Sequence, residues 1–285
     1  MKNYLLCFFI LTAGMLLLPR ASLYFPMEEE EPPIFLTVLD AESGETFSLP
    51  LEDYVIGAME KRTLPAEEEA RKAAAIALRS CALYCRAFRP VHEEADLCND
   101  PACCGGFERE GFSEENISAA AETAGRYLTY QGNPAAARFH QSCGKYTADH
   151  QAVYGTAVPY LVRIKNVEEN AVQILTLGDE DFRARLGIPE QIPLEDLFWE
   201  YDRSLYLLRL HWGNTSLSGA ECAVRLSLPS PFLSAVLTED GVELTCYGSG
   251  DGVGMSLGGA SLLAREGNTA WDILAFYFPG TEPNS

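Results

Sequence analysis

Between Pro65 and Tyr84 the chain carries a stripe of small residues that constrains its fold more than any other segment. Pro65 opens the stretch, and Glu67, Glu68 and Glu69 occupy its first turn. Arg71, Lys72 and Arg79 follow further along, a charge order that suits a helix dipole. Ala70, Ala73, Ala74, Ala77, Cys81 and Tyr84 recur along it at helical spacing. Side chains that small let another element approach the helix backbone closely. Lys72 and Arg79, seven positions apart, project from roughly one face, which by itself reads as a solvated basic stripe.

Around this helix the pattern predicts an α+β domain, because helices and strands are interspersed without regular βαβ spacing. Ile34–Leu49 reads as a hairpin turning at Glu42, Ser43 and Gly44, and Pro50 to Asp53 start a short helix ending near Lys61. Val91–Phe112 reads as loop and Ser113–Ala124 as helix. The runs RYLTYQG, AAARFHQS, ECAVRLSL and ELTCYG read as strands, and Pro193–Tyr206 and Ser261–Phe278 as helical. No internal repeat is visible.

Residues 1–25 are of another kind. Lys2 precedes an apolar run from Tyr4 to Leu18, closed by Pro19 and Arg20. The run is short of the ~20 residues of a comfortable bilayer span and within the range of a signal-peptide core. No small-x-small cleavage site follows, and Cys7 lies too early for lipidation. An uncleaved membrane anchor is therefore expected, with the rest of the chain on the outer face. A cleaved signal and secretion is the alternative. Residues 26–33 form an acidic, Pro-containing spacer, and 34–285 the exported domain.

The 285 residues carry 21 Lys+Arg against 41 Asp+Glu, a net charge of -20, with 47% hydrophobic residues. That composition supports a large core, excludes disorder, and disfavours nucleic acid, which needs cations to neutralise phosphates. Anionic lipid headgroups would be repelled in the same way.

Four groups of residues could carry chemistry. Glu60, at the end of the short helix, could be partly buried in a cleft, where its pKa would rise enough for a general acid. His92, Cys98 and Cys104 are spaced as H-x5-C-x5-C, with Cys103 able to replace Cys104. These are ligand types that zinc prefers, and three protein ligands would leave a fourth place for water or a carboxylate. A Cys98–Cys103 or Cys98–Cys104 disulfide, or free thiols, is the competing reading. His140, Ser142 and Cys143 form a polar cluster in which a Cys–His nucleophile pair is conceivable only across a turn. The run Gly248–Ala260 lacks the lysine of a phosphate loop and predicts a tight loop lining a cleft, with no nucleotide.

Taken in order, four blocks resemble the SpoIID/LytB domain family of exported cell-wall proteins over about Phe35 to Thr281. They are LEDYVIGAMEKRTLPAEEEARKAAAIALRS, AGRYLTYQGNPAAARFHQSCGKYT with VYGTAVPYLVRI, ECAVRLSLPSPF, and GSGDGVGMSLGGASLLAREGNTAWDILAFYFPGTE. The resemblance implies a single mixed α/β domain that cuts the MurNAc–GlcNAc bonds of denuded glycan strands. In such lytic transglycosylases one glutamate acts as acid and then base, and the sugar's 6-hydroxyl closes a 1,6-anhydro ring. By block position that glutamate is Glu60. Lys72, Arg79, His140, Ser142 and Ser256 fall at positions implied to bind substrate, and His92, Cys98 and Cys104 at positions implied to hold zinc. Glycan strands, and possible co-operating cell-wall hydrolases or septal proteins, are the implied partners, in sporulation or wall remodelling.

The pattern also departs from the family's. Glu60 lies five residues before Pro65 where the family's glutamate lies two before its proline, so matching the prolines would put Thr63 at that place. Asp251 stands for a family histidine, and Leu257 for a glutamine. The alternative implied function is a family member that binds glycan, or enhances an amidase, without cutting.

Overall fold

The computed structural model describes residues 32–88, 92–101, 103–168 and 172–284. The expected anchor, and the spacer up to Glu31, lie outside the described residues. Among the described residues no helix is long and apolar enough to cross a membrane. Residues 35–285 form one compact unit of mixed helices and small sheets.

Strands β1 (Phe35–Leu39) and β2 (Thr46–Pro50) form the antiparallel hairpin expected from the sequence, with Leu36 opposite Leu49. The Asp40 carboxylate accepts the Glu42 and Ser43 amides and so closes the turn. Helix α1 (Leu51–Glu60) follows directly, then α2 (Glu68–Phe88). A short strand β3 (Leu97–Cys98) pairs parallel with β1, and α3 (Glu114–Glu122) packs on α1 and α2.

The alanine stripe explains the position of α2. Ala70, Ala73, Ala74 and Ala77 are fully buried in one apolar cluster, whereas Ala75, Leu78, Ala82 and Leu83 are buried in another with Leu36, Val38 and Tyr54. The helix is therefore covered on both sides, and α7 (Leu257–Arg265) and α8 (Ala270–Tyr277) lie against it. Alanine dominates the face of α2 in the first cluster, with Ile76 its one bulkier buried residue, which is why three helices can share one core.

Between these helices the chain forms β4 (Leu128–Tyr130), β5 (Asn133–Pro134), β6 (Phe139–His140) and α4 (His150–Tyr154). A lobe with its own core follows over 172–247. It contains β7 (Val172–Gly178), α5 (Asp179–Leu186), β8 (Phe198–Tyr201), β9 (Leu207–Trp212), β10 (Thr215–Ser218), α6 (Gly219–Leu226), β11 (Leu233–Leu237) and β12 (Gly241–Tyr247). Its two antiparallel sheets are ordered β11-β12-β7 and β10-β9-β8. The chain then returns through β13 (Met255–Ser256), parallel to β6, and ends with β14 (Glu282–Pro283) beside β4.

Four sequence expectations are corrected. Pro193–Tyr206 holds one 3-10 turn, Leu194–Asp196, and then strand β8, whose aromatic Phe198, Trp199 and Tyr201 favour a sheet. ECAVRLSL lies mostly in α6 and not in a strand, because Ser218 and Glu221 form a reciprocal capping box that starts a helix. Ser261–Phe278 is split: Gly267 takes φ 91° and Thr269 with Asp272 caps a second helix. Within AAARFHQS only Phe139 and His140 are strand.

Candidate functional site

Glu60 ends α1, and its carboxylate reaches the start of α3. Oε1 accepts from the Ser113 amide at 2.7 Å, the Ser113 hydroxyl at 2.6 Å and Asn116 Nδ2 at 2.7 Å. Arg71 Nη1 in turn donates to Asn116 Oδ1 at 3.0 Å. No hydrogen bond to Oε2 occurs among the described residues, and the side chain is half-buried. Glu60 thus caps α3 from outside, where the helix's unpaired amides favour a negative charge. Removal from water pushes its carboxyl up, but the Ser113 and Asn116 hydrogen bonds, with Arg71 behind them, outweigh this and hold it below the usual range. The expected rise in pKa is therefore not found: unliganded Glu60 is an anion at neutral pH.

The other acids near Pro65 are bound to structural partners. Glu67 accepts from Ser261 and Arg265 on α7, Glu69 from the Ala270 amide, and Glu68 pairs with Lys72. Thr63 is exposed.

The loop after α2 gathers His92, Cys98, Cys103 and Cys104, whose ligand atoms all lie within 4.8 Å of one another. Cys103 Sγ and Cys104 Sγ stand 3.7 and 3.9 Å from His92 Nε2 and 3.8 Å from each other. At Zn–S ~2.3 Å and Zn–N ~2.0 Å, the corners of a tetrahedron lie roughly 3.5–3.8 Å apart, so the donor set fits zinc. Cys103 stands in the same cluster as a fourth candidate donor beside the three expected from spacing. Among the described residues no two cysteines are joined by a disulfide, so the disulfide reading is not found. The same loop then runs back along α1. Arg62 donates to the Ala58 and Gly106 carbonyls, Glu108 N bonds Gly57 O, and Lys61 pairs with Glu108, before the chain arrives at Ser113.

His140 is buried on β6. Its Nδ1 lies 3.3 Å from the Val253 carbonyl, which can only accept, so Nδ1 carries the proton and Nε2 offers a lone pair. Nε2 has no partner, the one such buried side-chain atom among the described residues. Burial pushes the ring's pKa down, against the pull of Asp251, and keeps it neutral. Phe139, the neighbour on β6, receives the Arg62 guanidinium at 5.7 Å from its ring centroid. Successive strand residues face opposite sides, so His140 points away from the Arg62 contact that links β6 to the end of α1.

The glycine-rich run does not line an open cleft; it is packed onto this strand. Gly254 has φ 83°, and a Cβ there would come 2.1 Å from the Arg138 carbonyl; one at Gly250 would meet His140 Cβ at 2.8 Å. Ser256 is fully buried, donating to Glu168 Oε1 at 2.8 Å and accepting the Gly259 amide. Glu168, which the sequence did not single out, also accepts from the Cys143 amide and Asn166 Nδ2, and burial raises its pKa in spite of them. Ser142 is half-buried and bridges Ser249 through its backbone. Cys143 is fully buried, its thiol pushed up by burial and by Glu168. It is not an available nucleophile. Asp251 is bound by Arg138 at 3.2 Å and Tyr154 at 2.6 Å.

Arg79 and Lys72 are placed differently from a solvated stripe. Arg79 is fully buried and holds the Glu52 carboxylate with two nitrogens, so it ties α1 to α2 and has no free donor face toward a ligand. Lys72 pairs with Glu68, Glu69 and Glu122.

The SpoIID family model, described as stage II sporulation protein, matches residues 41–130. That stretch contains α1 with Glu60, α2, the Cys/His loop and α3. The stage II sporulation protein D of Bacillus subtilis (strain 168) is 27% identical over 274 residues, covering 88% of this chain and 79% of that protein. Its namesake in Bacillus amyloliquefaciens is 26% identical over 276 residues, covering 89% and 79%. An uncharacterised protein of Brachyspira hyodysenteriae is 26% identical over 248 residues, covering 82% and 66%. Residues 41–130 thus carry the SpoIID match, and over 82–89% of its length the chain is similar to these relatives.

Proposed function

We propose that this chain acts on the peptidoglycan of the cell wall, in sporulation or wall remodelling, by cleaving the MurNAc–GlcNAc bonds of denuded glycan strands. The observation that carries this reading is Glu60: three donors fix one carboxylate oxygen, while the other takes no bond from the described protein. A carboxyl so held is oriented, and half of it is left for a ligand. Bound glycan would take Oε2 out of water, the change that raises a carboxyl's pKa. Protonated Glu60 would give its proton to the glycosidic oxygen as that bond to C1 breaks. The resulting carboxylate would then take the proton of the 6-hydroxyl as its oxygen bonds C1. No hydrolytic water is consumed.

His92, Cys98, Cys103 and Cys104 would hold zinc. With four protein ligands the ion supplies structural cross-linking rather than an open position, and the loop it ties ends on Ser113, the donor to Glu60. Residues 1–25 would keep the domain at the outer face of the membrane, beside other wall hydrolases or septal proteins.

A second reading, glycan binding without cleavage or enhancement of an amidase, is favoured by Glu60 already serving as the anionic cap of α3. Incubating the full chain with denuded strands and looking for anhydro-ended fragments by mass spectrometry separates the two. Anhydro products support cleavage; bound but intact strands leave the binding reading.

A further inference from the structure

A cavity of about 330 Å³ lies where the 172–247 lobe meets the segment after Cys143. Tyr146, Tyr247, Phe232 and Leu205 give it apolar walls, and Lys145 and Arg203 stand at it as exposed cations. Neither cation has a carboxylate partner among the described residues, in a chain with 41 acidic groups against 21 basic ones. The nearby Asp202 carboxylate is turned into its own loop, accepting the Ser204 and Tyr206 amides.

The walls are held in place rather than left to chance. The Arg163 guanidinium lies 3.3 Å from the centroid of the Tyr146 ring and donates to Ser204 Oγ at 2.9 Å. Leu205 sits at φ 68°, a costly backbone conformation for a leucine, with its side chain 56% exposed beside the cavity. An apolar side chain held out in that way suits a ligand with an apolar face.

We propose that this cavity is a subsite for an acidic sugar: a pyranose ring packed against Tyr146, Tyr247 and Leu205, its carboxylate paired with Lys145 and Arg203. Aromatic walls bind the C–H face of a sugar, and unpartnered cations select one that carries a carboxylate. The inference rests on the proposed glycan substrate, in which every MurNAc unit stripped of its peptide bears a lactyl carboxylate.

The test is saturation-transfer NMR on the full chain with three probes: N-acetylmuramic acid, N-acetylglucosamine and lactate. N-acetylmuramic acid should bind most tightly, and the Lys145→Ala/Arg203→Ala variant should weaken it about tenfold while leaving N-acetylglucosamine unchanged. Both side chains are exposed and make no hydrogen bond or ion pair among the described residues, and the melting temperature of the variant checks that the fold is kept. Failure of N-acetylmuramic acid to bind, equal binding of the two sugars, lactate binding as tightly as the acidic sugar, or a variant with wild-type affinity would each overturn the subsite. The cleavage assay is read separately: intact strands with selective N-acetylmuramic acid binding would remove the lytic reading and leave the subsite standing.

Discussion

At the scale of the residue, Glu60 holds two roles that pull its pKa in opposite directions. As the cap of α3 it is stabilised as an anion; as a general acid it must carry a proton. The expected consequence is a cleavage rate that falls as pH rises above the pKa of bound Glu60. Asn116→Ala removes a donor to the anion, so it should raise that pKa and move the falling limb to higher pH, which a rate profile on denuded strands would show. An unmoved limb would mean that another group supplies the proton. Glu60→Gln keeps an acceptor for Ser113 but cannot transfer a proton. It should lose roughly 10²–10⁴-fold in rate, with folding and glycan binding retained. Full activity in this variant would end the assignment. The sequence singled out Glu60, but its anionic state depends on Ser113 and Asn116, more than fifty positions away, and no local pattern reports such contacts.

At the scale of the element, what was legible followed how local the determining physics is. The β1–β2 hairpin and helices α1, α2 and α3 were visible because turn residues, proline and alanine spacing act within a few positions. Helix α6 was missed although Ser218 and Glu221 announce it, since the apolar run ECAVRLSL also fits a strand by composition. Arg79 looked solvated by spacing and proves buried, because Glu52 on the preceding helix supplies its counter-charge. The Cys/His loop was half legible: spacing indicated three ligands, and only the fold brings Cys103 to the same point. If this loop is held by zinc, the purified chain should contain about one ion, and Cys98→Ser should release it. Because the loop ends on Ser113, chelation should also lower the melting temperature and slow strand cleavage together. Metal-free protein with unchanged melting after chelation would remove zinc from the account.

At the scale of the whole molecule, the many carboxylates do not simply repel one another, since several are fixed by donors that favour the charged form. Glu67 is the clearest instance. The hydrogen bonds from Ser261 and then Arg265 hold its pKa at about 2 against an ordinary 4.5, and they join the start of α2 to α7. A carboxyl whose folded pKa is depressed contributes stability that is fully present above the unfolded value. That contribution is lost as pH falls through the folded one. The window for Glu67 is therefore from about pH 4.5 down to about 2. Part of the ion pair is open to water, so its worth is on the order of 1 kcal/mol, a shift of about 2–4 °C in Tm for a domain of this size. Glu67→Gln should lower Tm by that amount at pH 7, and the gap between variant and wild type should narrow steadily as the pH is taken below 4.5. Glu110→Gln, at an exposed position, should leave Tm at pH 7 unchanged. Thermal melts of the three proteins across that range decide the matter: a Glu67 gap that stayed constant with pH would mean that its contribution does not depend on the carboxylate's charge, and no gap at all that packing alone holds the α2–α7 junction.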